Sequence, residues 1–170
     1  MKTIYCLLVL CLAAAAPRAF AKTSGEVEIG GVLREASMQG LSGPSRRLSE
    51  FRGKPLVINV WASWCGPCRQ EMGSLERLSR YFGGKQFTVI GISTDDYPDA
   101  AKAFLHKSGT SFSHFIDRRL FLENMLGADR LPLTLLVDAQ GHVLAKFYGA
   151  KEWDSPEALD VIGKAFRLPK

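Results

Sequence analysis

Sulfur and histidine are scarce in this 170-residue chain, which has four cysteines and three histidines. His106 and His114 miss the H-x₃₋₅-H spacing of a zinc site, so a zinc half-site would lack its remaining ligands. No basic run exceeds a doublet. Arg46-Arg47 and Arg118-Arg119 stand isolated, without aromatic interleaving, and a nucleic-acid surface is not expected. Repeats and low-complexity tracts are absent. With 46% apolar and 23% charged residues, the composition is that of one ordinary globular domain. No apolar run reaches the roughly 20 residues that a spanning helix needs.

The first segment differs from the rest. Lys2, an uncharged stretch from Thr3 to Ala16 and the small residues of Ala19-Phe20-Ala21 have the layout of a secretory signal cleaved after Ala21. Residues 1–21 are therefore expected to direct export, with an uncleaved membrane anchor as the alternative. Cleavage removes Cys6 and Cys11, so the mature chain keeps only Cys65 and Cys68. Lys2 and Arg18 leave with the signal as well, which lowers the net charge from +5 to +3. In an exported compartment such as the periplasm disulfides persist, and a lone dithiol there makes, breaks or reshuffles them.

What the chain does have is Trp61-Ala62-Ser63-Trp64-Cys65-Gly66-Pro67-Cys68, at a junction of two patterns. The preceding run, Leu56 to Val60, is β-branched and bounded by Gly53 and Pro55, and reads as a buried strand. After it Met72, Leu75, Leu78 and Phe82 recur at helical spacing. The two thiols thus open a helix, where residues i and i+3 meet within disulfide reach. Unpaired N–H groups and the helix dipole stabilise an anion there, so Cys65 reads as the attacking thiolate and Cys68, one turn inside, as the resolver. Pro67 suits a first turn because its missing N–H would have no partner there. As a structural staple the pair is poor, since so small a loop stabilises by only about 2 kcal/mol.

The remaining elements follow in order. Residues 22–47, rich in glycine, read as a loose extension with one hairpin, and Leu48 to Pro55 as a helical turn leading into the strand. Strands are expected at 86–93 and 112–116, helices at 99–107 and 120–126, and a hairpin at 133–137 and 143–147. A last helix starts at Ser155-Pro156-Glu157 and runs to Phe166. The result is an α/β chain, with a mixed sheet covered by helices on both faces.

The strand, the Trp-Cys-Gly-Pro-Cys motif, the helix that follows and Pro132 opening a later strand resemble the thioredoxin superfamily. The lead-in Phe51-Arg52-Gly53-Lys54-Pro55 and the inserted helical segment around 104–126 are closer to its exported TlpA/ResA branch, over residues 48–170. The resemblance implies that Leu131-Pro132 is the cis-proline site that pairs with a partner chain. Trp64, Gly66 and Pro67 would then flank the exposed sulfur. It also places Asn59 where thioredoxin carries a buried acid, and Asp96 near the position of an active-site acid, which makes Asp96 the candidate proton acceptor. Gly73 replaces the proline that usually kinks the redox helix. Trp61 and Trp153 read as packing residues, and the three histidines as surface or rim residues.

The function expected is reduction of protein disulfides by the Cys65/Cys68 dithiol of a monomer, through a mixed-disulfide intermediate, with the redox-active disulfide as the only reactive group and no added cofactor or metal. The family implies electrons from a membrane dithiol donor and work in cytochrome c maturation. Two other readings stay open. One is an exported copper chaperone that adds His114 or His142 to the two cysteines, since soft thiolates suit Cu(I). The other is a thiol peroxidase, which would need an isolated low-pKa cysteine in its own activating motif.

Overall fold

The computed structural model describes residues 25–82 and 84–169. The export signal expected over 1–21 lies outside them. Seven strands form one sheet in the order β2-β1-β5-β4-β3-β6-β7. These are β1 (Ser37–Gly40), β2 (Arg46–Arg47), β3 (Leu56–Trp61), β4 (Thr88–Ser93), β5 (Ser113–Ile116), β6 (Leu133–Val137) and β7 (Val143–Tyr148). A 3-10 turn (Leu48–Phe51) precedes β3, and the helices are α1 (Gly66–Phe82), α2 (Pro98–Ser108), α3 (Phe121–Leu126) and α4 (Pro156–Phe166).

Strands β3, β4 and β5 run parallel, whereas β6 is antiparallel to β3 and β7 to β6. All six residues of β3 are buried, as a strand covered on both faces requires. Alternation divides them between two apolar layers. Leu56, Ile58 and Val60 join Phe51, Leu122, Met125 and the N-terminal residues Val27, Leu33 and Met38 on one face. Val57 and Trp61 join both cysteines, Met72, Leu75 and Leu78 of α1, Leu105 of α2 and Phe166 of α4 on the other.

Local chemistry sets the helix ends. Ser155 caps α4 by accepting the Ala158 N–H at 3.2 Å, and Pro156 occupies its first turn. Gly109 ends α2 at φ 66, in the left-handed region where glycine is unstrained. Helix α1 runs unbroken through Gly73.

The N-terminal extension is not loose. Its hairpin pairs β1 with β2 and then with β5, through Gln39↔Ile116 and Gly40↔Phe115. Burial of Val27, Leu33, Ala36, Met38 and Leu41 explains this, because each apolar side chain that leaves water stabilises the docked segment. Short apolar pieces between glycines cannot form a core alone, yet they complete one that the rest of the chain supplies.

His114 is also placed differently from its expected rim position. It lies between Phe112 and Ile116 on β5, and alternation turns all three inward. Its ring centroid lies 4.2 Å from that of Phe112, with the planes tilted by 36°, and its ring meets Trp61 edge-on with centroids 5.5 Å apart. His106 is exposed and His142 half-buried.

Candidate active site

The parallel strands place their C-terminal ends along one edge of the sheet, and β6 begins at that same edge because it runs the other way. The segment after β3 brings the two cysteines there. Cys65 and Cys68 form a disulfide with Cα atoms 5.3 Å apart. Cys65 occupies the N-cap position of α1, since its carbonyl accepts the Arg69 N–H at 3.1 Å. Its Sγ also accepts the Cys68 N–H at 3.2 Å, where a capping hydroxyl would normally bond. A negative sulfur at Cys65 therefore meets a backbone donor and the positive end of a 17-residue helix. Cys68 is 0% exposed against 5% for Cys65, so Cys65 is the more accessible of the two residues.

Beyond the disulfide the helix carries a buried acid. Glu71, one turn beyond Cys68, is buried together with Asn59. Asn59 Nδ2 donates to Glu71 Oε1 at 2.7 Å and to Thr134 Oγ1 at 3.0 Å. Trp153 Nε1 and the Lys151 N–H donate to Glu71 Oε2 at 3.0 and 3.1 Å. Burial pushes the Glu71 carboxyl above the usual carboxylate range, and the donors from Trp153, Lys151 and Asn59 oppose that shift only in part. Trp153, expected only to pack, thus also holds this acid. A signal existed in the sequence: positions 68, 71, 75 and 78 share one helical face.

Two adjacent acids, Asp95 and Asp96, follow the end of β4 and differ in burial. Asp95 is buried and accepts from Ser63 N at 2.9 Å, Ser63 Oγ at 2.6 Å and Ser93 Oγ at 2.7 Å. It clamps the backbone two residues before Cys65. Asp96, the acid singled out from the sequence, is exposed on the bend that follows. Trp64 is 71% exposed, and Gly66 and Pro67 are exposed as well. The Leu131–Pro132 peptide is cis. Leu131 is half-buried and packs against both apolar layers, the one with the cysteines included.

The histidines that a copper reading would draw on lie elsewhere. His142 bonds through Nδ1 to Asp138 at 3.0 Å in the β6–β7 turn, at the far end of β6 from Leu131 and the disulfide edge. Among the described residues no group of three or more His, Cys, Asp or Glu side chains is placed to hold a metal ion.

A CxxC disulfide at the start of a helix, beside a cis-proline and on a mixed sheet flanked by helices, defines a thioredoxin-like thiol:disulfide oxidoreductase. The family model "Redoxin" matches residues 32–162, and the chain belongs to that family. It is similar to the thiol-disulfide oxidoreductase ResA of Geobacillus thermodenitrificans, with 29% identity over 146 residues that cover 84% of this chain and 83% of the relative. Among solved structures, a DsbF homologue from Corynebacterium diphtheriae superposes with a TM-score of 0.67 at 27% identity, covering 84% of this chain and 97% of that one. A secreted thiol-disulfide isomerase from Corynebacterium glutamicum gives 0.68 at 25% identity, covering 78% and 84% respectively. These likenesses place the chain in the TlpA/ResA-like part of the thioredoxin superfamily and identify it as an oxidoreductase acting on thiols and disulfides.

Proposed function

We propose that this oxidoreductase works outside the cytoplasm as a monomeric reductant of protein disulfides. The observation that carries this reading is the asymmetry of the two sulfurs, one capping the helix and the other wholly buried. The Cys65 thiolate attacks one sulfur of a target disulfide, forms the mixed disulfide and expels the first target thiolate. Cys68, after losing its proton, attacks the Cys65 sulfur, which closes the 65–68 disulfide and releases the second target thiolate. The target gains two electrons and the enzyme loses two. The backbone of Leu131, beside Pro132, is the edge on which an extended target segment docks, with Trp64, Gly66 and Pro67 around the exposed sulfur.

The proton of Cys68 needs an acceptor, because a thiol buried in apolar surroundings holds its proton tightly. Glu71 suits this role: it is buried on the same helical face one turn away, and its raised pKa makes it a stronger base than a surface carboxylate. Asp96 stays the rival for this role, on the strength of the family resemblance alone.

A membrane dithiol donor would restore the reduced state, and cytochrome c maturation is the setting that the TlpA/ResA likeness suggests. Export through residues 1–21 fits the secreted isomerase among the similar structures. The test is the reduction potential of the Cys65–Cys68 couple. A value near the roughly −270 mV of thioredoxin marks a reductant, whereas one near −120 mV marks an oxidant and overturns the proposal.

A further inference from the structure

The turn between β5 and α3 presents a surface that disulfide exchange at Cys65 does not itself require. Register places Trp61 beside Ser93 and Ser93 beside Ile116. Backbone bonds extend this alignment past the strands, from Thr94 N to Trp61 O at 2.9 Å and from Asp117 N to Ser93 O at 2.8 Å. The segments starting at Ala62, Thr94 and Asp117 therefore stand side by side. At about 4.8 Å per strand, the β5 turn lies roughly 10 Å from the disulfide loop, a distance that about three residues of extended chain span.

The turn is held firmly. Buried Asp117 accepts the Phe121 N–H at 3.1 Å and the Glu123 N–H at 2.8 Å. Leu120 sits at φ 54, a left-handed conformation that residues other than glycine rarely adopt. Four consecutive side chains, from Arg118 to Phe121, consequently face solvent. Among the described residues neither Arg118 nor Arg119 has an ion-pair or hydrogen-bond partner. Both line a groove of about 710 Å³ with Ser37 and Gln39 of β1 and with Phe121. Trp64 in the disulfide loop and Tyr97 on the neighbouring turn after β4 are 71% and 76% exposed. Asp96 is exposed on the intervening turn, whereas Asp117, which also lines the groove, is buried with its carboxylate held by the Phe121 and Glu123 N–H groups.

We infer that this groove docks an acidic segment of the partner protein, two carboxylates lying three to five residues from the cysteine that exchanges with Cys65. Guanidinium forks without partners match carboxylates in geometry as well as in charge, and the apolar side chains between would lie on Trp64 and Tyr97. The Asp96 carboxylate repels an acidic stretch laid over the disulfide itself and steers it toward the arginines. This assignment rests on the exchange reaction proposed above and names its substrate class.

The test uses the reduced full-length mature protein and two peptides, each carrying one cysteine as a mixed disulfide with 2-mercaptoethanol. One peptide has two glutamates four and five residues from that cysteine, and the other has two lysines there. Rates are taken relative to hydroxyethyl disulfide, which is too small to span the groove. The native protein should consume the glutamate peptide about tenfold faster than the lysine peptide at low salt, and R118E/R119E should reverse the order. Equal rates with the native protein, or a glutamate preference that survives R118E/R119E, overturn the docking assignment. No reaction with hydroxyethyl disulfide overturns the exchange reading itself, and the docking assignment with it.

Discussion

The Asn59 side-chain amide donates to the Glu71 carboxylate at 2.7 Å, linking β3 to the redox helix one turn beyond Cys68. By the resemblance to thioredoxin, Asn59 stands at the position of a buried acid on this strand. Here the strand holds an amide and the helix holds the acid.

Glu71→Gln should therefore slow the resolving step by about 10²-fold and leave the first attack by Cys65 nearly unchanged. Asp96→Asn is the comparison. Stopped-flow measurement of both steps checks the assignment, and slowing in Asp96→Asn instead would hand the role to the exposed acid.

Cys68→Ser should accumulate a mixed disulfide with target proteins, whereas Cys65→Ser should not. The reason is access, because only the Cys65 sulfur lies at the open helix start. Non-reducing electrophoresis followed by mass spectrometry reads the trapped species.

Asp95→Ala removes three hydrogen bonds from a buried carboxylate and leaves the Ser63 N–H without its acceptor. A stability loss of about 2–3 kcal/mol is expected in denaturant titrations, with a slower attack by Cys65 as the loop loosens. Asp96→Asn should stay within about 0.5 kcal/mol, as exposed substitutions usually do.

Acid should destabilise the fold through His114. Burial pushes its pKa down to about 3, against a small opposing pull from Glu76. The unfolded chain binds a proton near pH 6.5 and the folded one does not, so stability falls as pH drops below that value and levels off only near the folded pKa. At pH 5 the loss relative to pH 8 is about 2 kcal/mol. His114→Leu should remove this component of the pH dependence, as urea titrations at the two pH values would show.

The sequence makes some of this architecture plain and hides the rest for identifiable reasons. Leu56 to Trp61 and the helix after Cys65 are legible because their apolar periods are clean and the caps at Ser155 and Gly109 mark element ends. Glu71 is hidden because a charged residue amid Arg69, Gln70 and Arg77 reads as part of a solvated face. What buries it are Asn59, Lys151 and Trp153, brought together only by the fold. Asp95 and Asp96 are neighbours of one residue type, and the donors from Ser63 and Ser93 that hold Asp95 inside are brought together only by the fold. His114 differs, since its inward place follows once Phe112 and Ile116 are assigned to one face.

The N-terminal segment has a consequence for the order in which the molecule assembles. Its backbone contacts run from Val27 to Met125, from Gly30 to Val143, from Leu33 to Gly141 and from Gln39 to Ile116. None of them can form until the second half of the chain is in place, and closing such long loops is entropically slow. The residues made first should therefore settle last. Pulsed hydrogen exchange during refolding should show the amides of Val27 and Leu33 gaining protection after those of β3 and β4, while the sulfurs of the redox pair already sit in a formed site.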